Sequence, residues 1–169
     1  MFVIDYNNEE KILVDFEDDQ GQKVAALFEK SGSFHKLKTG SEFALFRMNN
    51  HSEIVGWNRI ENKISATVWS KDSLVRLGTL GGKESAAVDI NDAGYVVGWS
   101  DALDESVEGF LWREDIGIVS LNELPGNDSW PPNIEITSAV AINNHGWIVA
   151  KARKGKKAIY VLIRPEVAT

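Results

Sequence analysis

Residues 77–100 read LGTLGGKESAAVDINDAGYVVGWS. The first half, Gly78 to Ser85, has the glycines, lysine and hydroxyl residue of a phosphate loop. The second half sets an Asn-Asp pair and a glycine between two apolar runs. A Walker A loop needs four residues between its glycines and a hydroxyl residue directly after its lysine. Here three residues separate Gly78 from Gly82, and Glu84 follows Lys83. A phosphate loop also opens a helix, whereas SAAVDIN (85–91) reads as a strand. The glycines therefore mark a turn, one that carries the chain sharply from one strand to the next.

The second half recurs. IDYNNEEKILV (4–14), FRMNNHSEIVG (46–56), VDINDAGYVVG (88–98) and VAINNHGWIVA (140–150) align on Asn7, Asn49, Asn91 and Asn143, at separations of 42, 42 and 52 residues. About twenty residues after each marker come VAALF (24–28), SATVW (65–69), EGFLW (108–112) and KAIYV (157–161), which places Phe28, Trp69, Trp112 and Val161 at one equivalent position. SFHKL (33–37), SLVRL (73–77) and GIVSL (117–121) follow; the fourth copy ends in LIRPEVAT without a clear counterpart. These runs are β-branched and aromatic, and Asn, Asp, Gly, Ser and Lys clusters separate them, as expected of strands and turns. No long window shows a helical apolar stripe. Four strands in about 42 residues is the size of one propeller blade. Small residues (Ser85, Ala86, Ala87; Thr137, Ser138, Ala139) open the first strands and suit an innermost strand, while Trp69 and Trp112 are large enough to fill the space between blades.

The expected fold is all-β: a small β-propeller-like ring of about four blades, each a four-stranded antiparallel meander, the last lacking a clear fourth strand. The copies fall at about 1–41, 42–82, 83–124 and 134–169, with an insertion at 125–133.

Composition agrees with one globular domain. The 169 residues are 43% apolar and 25% charged, carry a net charge of −7 and contain no cysteine, which removes disulfides and thiolate metal sites. No apolar run reaches a membrane-spanning length. MFVIDYNNEEK has no basic and apolar leader pattern, so the expected location is cytoplasmic, or exported without a conventional leader.

The stretch 77–100 followed by EGFLW (108–112) resembles the HAF repeat, a bacterial unit running L-G-T-L-G-G, S-x-A, I-N-x-x-G-x-V-V-G and H-A-F-L-W. Glu108 and Gly109 stand in place of its His-Ala. The second and fourth copies keep the N-x-x-x-x-[IV]-V core, and the first keeps mainly its asparagine and apolar pattern. The resemblance covers most of the chain. It implies a bacterial source and a β-propeller-like fold, and the family is often labelled extracellular.

The candidate sites are loops. The insertion PGNDSWPPNIEI (125–136) places Trp130 beside Pro131 and Pro132, with Asp128 nearby, as an aromatic anchor on a stiff segment. DFEDDQGQK supplies Asp15, Glu17, Asp18 and Asp19 between second and third strands of the first copy; KARKGKK supplies Lys151, Arg153, Lys154, Lys156 and Lys157 at the equivalent place in the fourth. Opposite charge there favours closure of one chain's ring or a head-to-tail homo-oligomer. The acidic loop lacks the order of an EF-hand. The basic loop lacks the interleaved aromatics of a nucleic-acid surface. His51 and His145 occupy one equivalent turn position, and His35 reads as an outward strand residue. Asp101, Asp104 and Glu105 fall in a polar loop without apolar surroundings to raise a pKa. No catalytic set, cofactor or metal is expected. The leading reading is a non-catalytic propeller that binds a protein or glycan through loop surfaces. Assembly through acidic and basic ends is the alternative, and a carboxylate-dependent hydrolase a distant third.

Overall fold

A computed structural model of the chain describes residues 1–70, 73–124 and 133–164. Four antiparallel sheets follow one another. Sheet I holds β1 (Phe2–Tyr6), β2 (Ile12–Glu17), β3 (Lys23–Phe28) and β4 (Phe34–Lys36); sheet II holds β5 (Phe43–Met48), β6 (Glu53–Ile60), β7 (Lys63–Ser70) and β8 (Ser73–Gly78). Sheet III holds β9 (Gly81–Ile90), β10 (Val96–Ala102), β11 (Val107–Arg113) and β12 (Gly117–Ser120), and sheet IV holds β13 (Ile134–Ile142), β14 (Ile148–Lys154) and β15 (Lys157–Ile163). Every sheet is a meander paired in chain order. Among the described residues there is no α-helix, only a 3-10 turn at Leu121–Glu123, and no helix long and apolar enough to cross a membrane.

Each marker asparagine builds the turn between the first two strands of its sheet. The Asn49 Oδ1 accepts from the backbone of His51 (3.0 Å) and Glu53 (2.9 Å), an Asx turn that the other three copies repeat. The residue three places on takes a left-handed conformation in all four turns: Glu10, Ser52, Gly94 and Gly146 have φ of 58°, 63°, 77° and 77°. Glycine fits this at no steric cost; Glu10 and Ser52 hold it because the asparagine fixes both sides.

The same asparagine then reaches across to the next sheet. Asn7 Nδ2 donates to the Asn49 carbonyl (3.2 Å), Asn49 Nδ2 to that of Asn91 (3.1 Å), and Asn91 Nδ2 to that of Asn143 (3.0 Å). A parallel series runs one residue on: the backbone N–H groups of Asn8, Asn50 and Asp92 each donate to the side-chain oxygen of Asn50, Asp92 and Asn144, all at 2.9 Å. Asp5 and Asp89 add further links by accepting from the backbone of Met48 and Ile142, each at 2.8 Å.

Three residues before each marker the first strand carries one extra residue, Ile4, Phe46, Val88 or Val140, unmatched in the second strand. Such a bulge bends a strand and increases its twist. Opposite two of them the second strand has Gly56 and Gly98, where a Cβ would come within 1.9 Å of the Ala44 oxygen and 2.0 Å of the Ala86 oxygen. Three apolar layers fill the spaces between consecutive sheets. Leu13, Leu27, Leu45, Ile54 and Trp69 lie between I and II, Val55, Val68, Ile90 and Phe110 between II and III, and Val97, Leu111, Ile136 and Ile148 between III and IV. Trp112 packs, partly buried, against the second layer.

The glycine-rich stretch from Gly78 to Ser85 forms the crossing between sheets II and III. Gly78 and Gly81 take φ of 81° and 100°, and β9 begins at Gly81, so no helix follows the lysine. Ser85, Ala86 and Ala87 are buried inside β9, and the Ser85 Oγ accepts from the Ala66 N–H (2.9 Å) while donating to the Gly78 carbonyl (2.7 Å).

Three expectations need correction. Val161 pairs with Ala150, and the residue that faces Ile148, as Trp69 faces Ile54 and Trp112 faces Val96, is Ile163. A slip of two residues leaves the side-chain alternation unchanged, so the apolar pattern could not reveal it. Asp15 and Glu17 belong to β2, Lys151, Arg153 and Lys154 to β14, and Lys157 to β15, so only Asp18, Asp19 and Lys156 of the charged groups occupy the hairpin tips. Asp101 likewise lies in β10 and not in a loop.

The buried rungs of the asparagine series differ from the last. Asn7, Asn49 and Asn91 are buried, whereas Asn143 is exposed. We expect Asn49→Ala to cost about 2–3 kcal/mol, since it removes four hydrogen bonds in a buried setting, and Asn143→Ala to cost about 1 kcal/mol. Urea unfolding of both variants checks the ratio; equal losses would contradict it.

Candidate interaction surfaces

Equivalent positions in the four sheets show where the stack is unfinished. The residue six places after each marker faces the following sheet. Leu13, Val55 and Val97 are fully buried there, but Val149 is 38% exposed. Its cross-strand partner Leu162 is 53% exposed, whereas the matching Val68 and Leu111 are 5% exposed. The opposite face repeats the contrast at the start of the chain. Tyr6 is 75% exposed where Met48, Ile90 and Ile142 are 7%, 7% and 8%; Ile12 is 43% exposed where Ile54 is 1%. Phe28 and Phe34 stack on this same face at 5.2 Å between ring centres. Sheet I thus presents the face that would receive a preceding sheet, and sheet IV the face that would receive a following one.

Their hydrogen-bonding groups are open in the same sense. The Asn143 amide, whose counterparts donate to the next sheet, has no acceptor among the described residues. The Asn7 carbonyl and Asn8 side-chain oxygen sit where a preceding sheet's groups would donate.

The predicted charged residues flank these faces. Asp15 is spent inside the chain: it is buried toward sheet II and pairs with Lys23 Nζ at 3.0 Å. Asp18 caps its own tip, its Oδ1 accepting from the backbone of Gln20 and Gln22 at 2.9 and 3.0 Å. Glu17 and Asp19 are exposed. On sheet IV, Lys151, Arg153, Lys154, Lys156 and Lys157 are all exposed; Arg153 pairs with Glu135 of its own sheet at 2.6 Å. Among the described residues no ion pair joins the acidic group to the basic one. Asp128, Trp130, Pro131 and Pro132 lie outside the described residues.

Open grooves run between neighbouring sheets. The one between I and II, of about 350 Å³, is lined by Lys11, His35, Lys36, His51 and Trp69, among others; the Trp69 Nε1 is buried with no hydrogen-bond partner among the described residues. A larger groove of about 680 Å³ between II and III is lined by His51, Glu53, Asp92, Trp112 and Arg113, among others. His35, His51 and His145 are exposed, and among the described residues no three His, Asp or Glu side chains converge as metal ligands would.

Two of the four shifted carboxylates serve the joints between sheets; the other two, Asp104 and Asp115, are held low by near neighbours in sequence, Ser106 and Arg113. Burial pushes the Asp89 carboxyl up, against the backbone amides of Ile142 and Ile90 and the charge of Arg47, which pull it down. Asp92 is held below the usual range, first by the Asn50 backbone N–H, then by the Asn50 amide, with a further bond from the Asn144 amide. Asp92 therefore ties sheets II, III and IV together.

No family profile and no curated protein matches the chain. Among solved structures it is similar to TolB from Acinetobacter baumannii, at 10% identity and a TM-score of 0.56, over 95% of this chain and 43% of that one. The fold is β-propeller-like. The chain spans less than half the length of that neighbour. Sequence reasoning found the four antiparallel sheets but missed the two open sheet faces. Val149 and Leu162 are apolar at positions whose counterparts are core, so the sequence marks the face as apolar but not as uncovered.

Asp92 gives a pH test. Its folded pKa is depressed, so its contribution is complete above the ordinary carboxylate value of 3.8 and is lost as the pH falls through the lower folded value. We expect the urea midpoint of the wild type to fall more steeply below that pH than the midpoint of Asp92→Asn, which has no charge to lose there. Parallel pH profiles would contradict this.

Proposed function

We propose that the chain is a non-catalytic β-propeller module of the HAF-repeat kind, which works by binding protein through its open blade faces. The observation that carries this reading is the pair of exposed apolar faces, Tyr6 and Ile12 with Phe34 at one end and Val149, Tyr160 and Leu162 at the other. Contiguous exposed apolar surface edged by charge is the mark of a protein contact. Tyrosine contributes because it covers a large area with little conformational freedom to lose. The non-catalytic part is supported by the use to which the raised carboxyl is put. Asp89 accepts two backbone amides at a blade joint, which is a structural task. Sheet faces built mainly from aliphatic and aromatic side chains suit a protein better than a glycan, whose hydroxyls call for more polar groups.

The immobilised full chain, exposed to a lysate of its source cell, should retain a defined protein. Tyr6→Asp or Leu162→Asp should weaken that retention by about tenfold or more, the effect of losing about 1.4 kcal/mol or more at an apolar contact. Trp130→Ala, assayed in parallel, reports on the insertion. Retention unaffected by either face variant would overturn the reading.

A further inference from the structure

We propose that the partner of these faces is a second copy of this chain, the open face of sheet IV seating on the open face of sheet I head to tail. Two copies joined twice in this way would close a ring of eight sheets. The inference rests on reading the chain as an interaction module and names the module's partner.

Four observations converge. The exposed positions are matched: Val149 and Leu162 correspond to residues that, in the three inner joints, press on the counterparts of Tyr6 and Ile12. The hydrogen-bond series is also matched. Its rule, applied once more, has the Asn143 amide donating to the Asn7 carbonyl of the second copy and the Asn144 N–H donating to the Asn8 oxygen of the second copy. Charge is complementary. Equivalent hairpins of adjacent blades would lie side by side, which sets Lys151 of the open face and Lys156 of the hairpin tip against Asp18 and Asp19 of the second copy's tip. Finally, propellers have about four to eight blades. One chain leaves both end faces exposed, two supply eight sheets, and three would exceed the range.

The joint between copies is not a replica of the inner ones. Where those carry Ala25, Ala66 and Gly109, sheet IV carries Tyr160, 68% exposed and paired with Lys151. An aromatic residue there widens the joint toward the charged hairpins and leaves the asparagine end as its closest part.

Light scattering on size-separated full chain tests this. The expected mass is twice the 18.8 kDa of one chain, falling toward a single chain on dilution in high salt. Tyr6→Asp and Leu162→Asp should each be monomeric, with an unchanged far-ultraviolet dichroism spectrum. Mixing the two should restore a dimer through the one joint that remains intact. If either variant fails to fold, Lys151→Glu with Lys156→Glu, at the exposed hairpin, should shift the wild-type dimer toward monomer. A monomer at every concentration, a mass that climbs without limit, or a dimer indifferent to all of these substitutions would overturn the proposal. A monomer that still retains a lysate protein through the same faces would sink the second copy and leave the interaction reading standing. A monomer that retains nothing would sink both.

Discussion

One side-chain amide, used four times, holds this molecule together. An asparagine at the first turn of each sheet satisfies its own turn through its oxygen, and in the first three sheets it reaches the next sheet through its nitrogen. The two roles need opposite ends of the same planar group, an acceptor and a donor held at fixed separation. Aspartate could build the turn but would bring a carboxylate against the neighbouring carbonyl. Glutamine would place its oxygen too far out for the Asx turn. Serine could supply only one rotating hydroxyl. The requirement for asparagine is thus a statement about geometry, and burial makes it stringent, because an amide left unpaired inside a joint costs more than the net worth of its hydrogen bond.

The remaining features serve that contact. The bulge three residues before each marker bends the first strand just before the turn, and glycines opposite two of the bulges let the second strand follow. The apolar layers then determine how far apart neighbouring sheets stand. Burying a valine or leucine contributes about 1.5–3 kcal/mol, so the layers supply most of the adhesion, and the asparagines supply register. Apolar faces alone would tolerate sliding, whereas a donor facing one particular carbonyl does not.

Much of this was legible because a repeat is written four times. The asparagine spacing, the alternation in VAALF, SATVW and EGFLW, and the glycines of the crossing each fixed an element, and each has a local physical cause. What escaped the sequence was non-local. Val161 was matched to Trp69 instead of Ile163 because a two-residue slip preserves every facing. The acidic and basic runs looked like loop chemistry because charge is a poor marker of strand ends, and Asp15 proved to be a buried partner of Lys23. The open faces escaped because Val149 has the same character as Val55 and Val97. Sequence pattern tells which face of a strand is apolar, but it does not tell whether anything lies against that face.

The direction of the asparagine series limits what can lie against it. Each marker asparagine that crosses to another sheet donates forward, from sheet I toward sheet IV, although the Asp5, Asp89 and Asn144 links run the other way; at the marker positions the two end faces are therefore chemically different, one offering amide nitrogens and the other carbonyl and side-chain oxygens. Two sheet IV faces brought together would oppose donor to donor and lysine to lysine. Two sheet I faces would oppose acceptor to acceptor and acid to acid. Neither pairing satisfies the groups it buries, and each concentrates like charge. Only unlike ends fit. A contact between unlike ends repeats until it meets its own beginning, so closure depends on the rotation between successive sheets. That rotation is set by the bulges and the asparagine reach, the same local devices that stack the sheets within one chain.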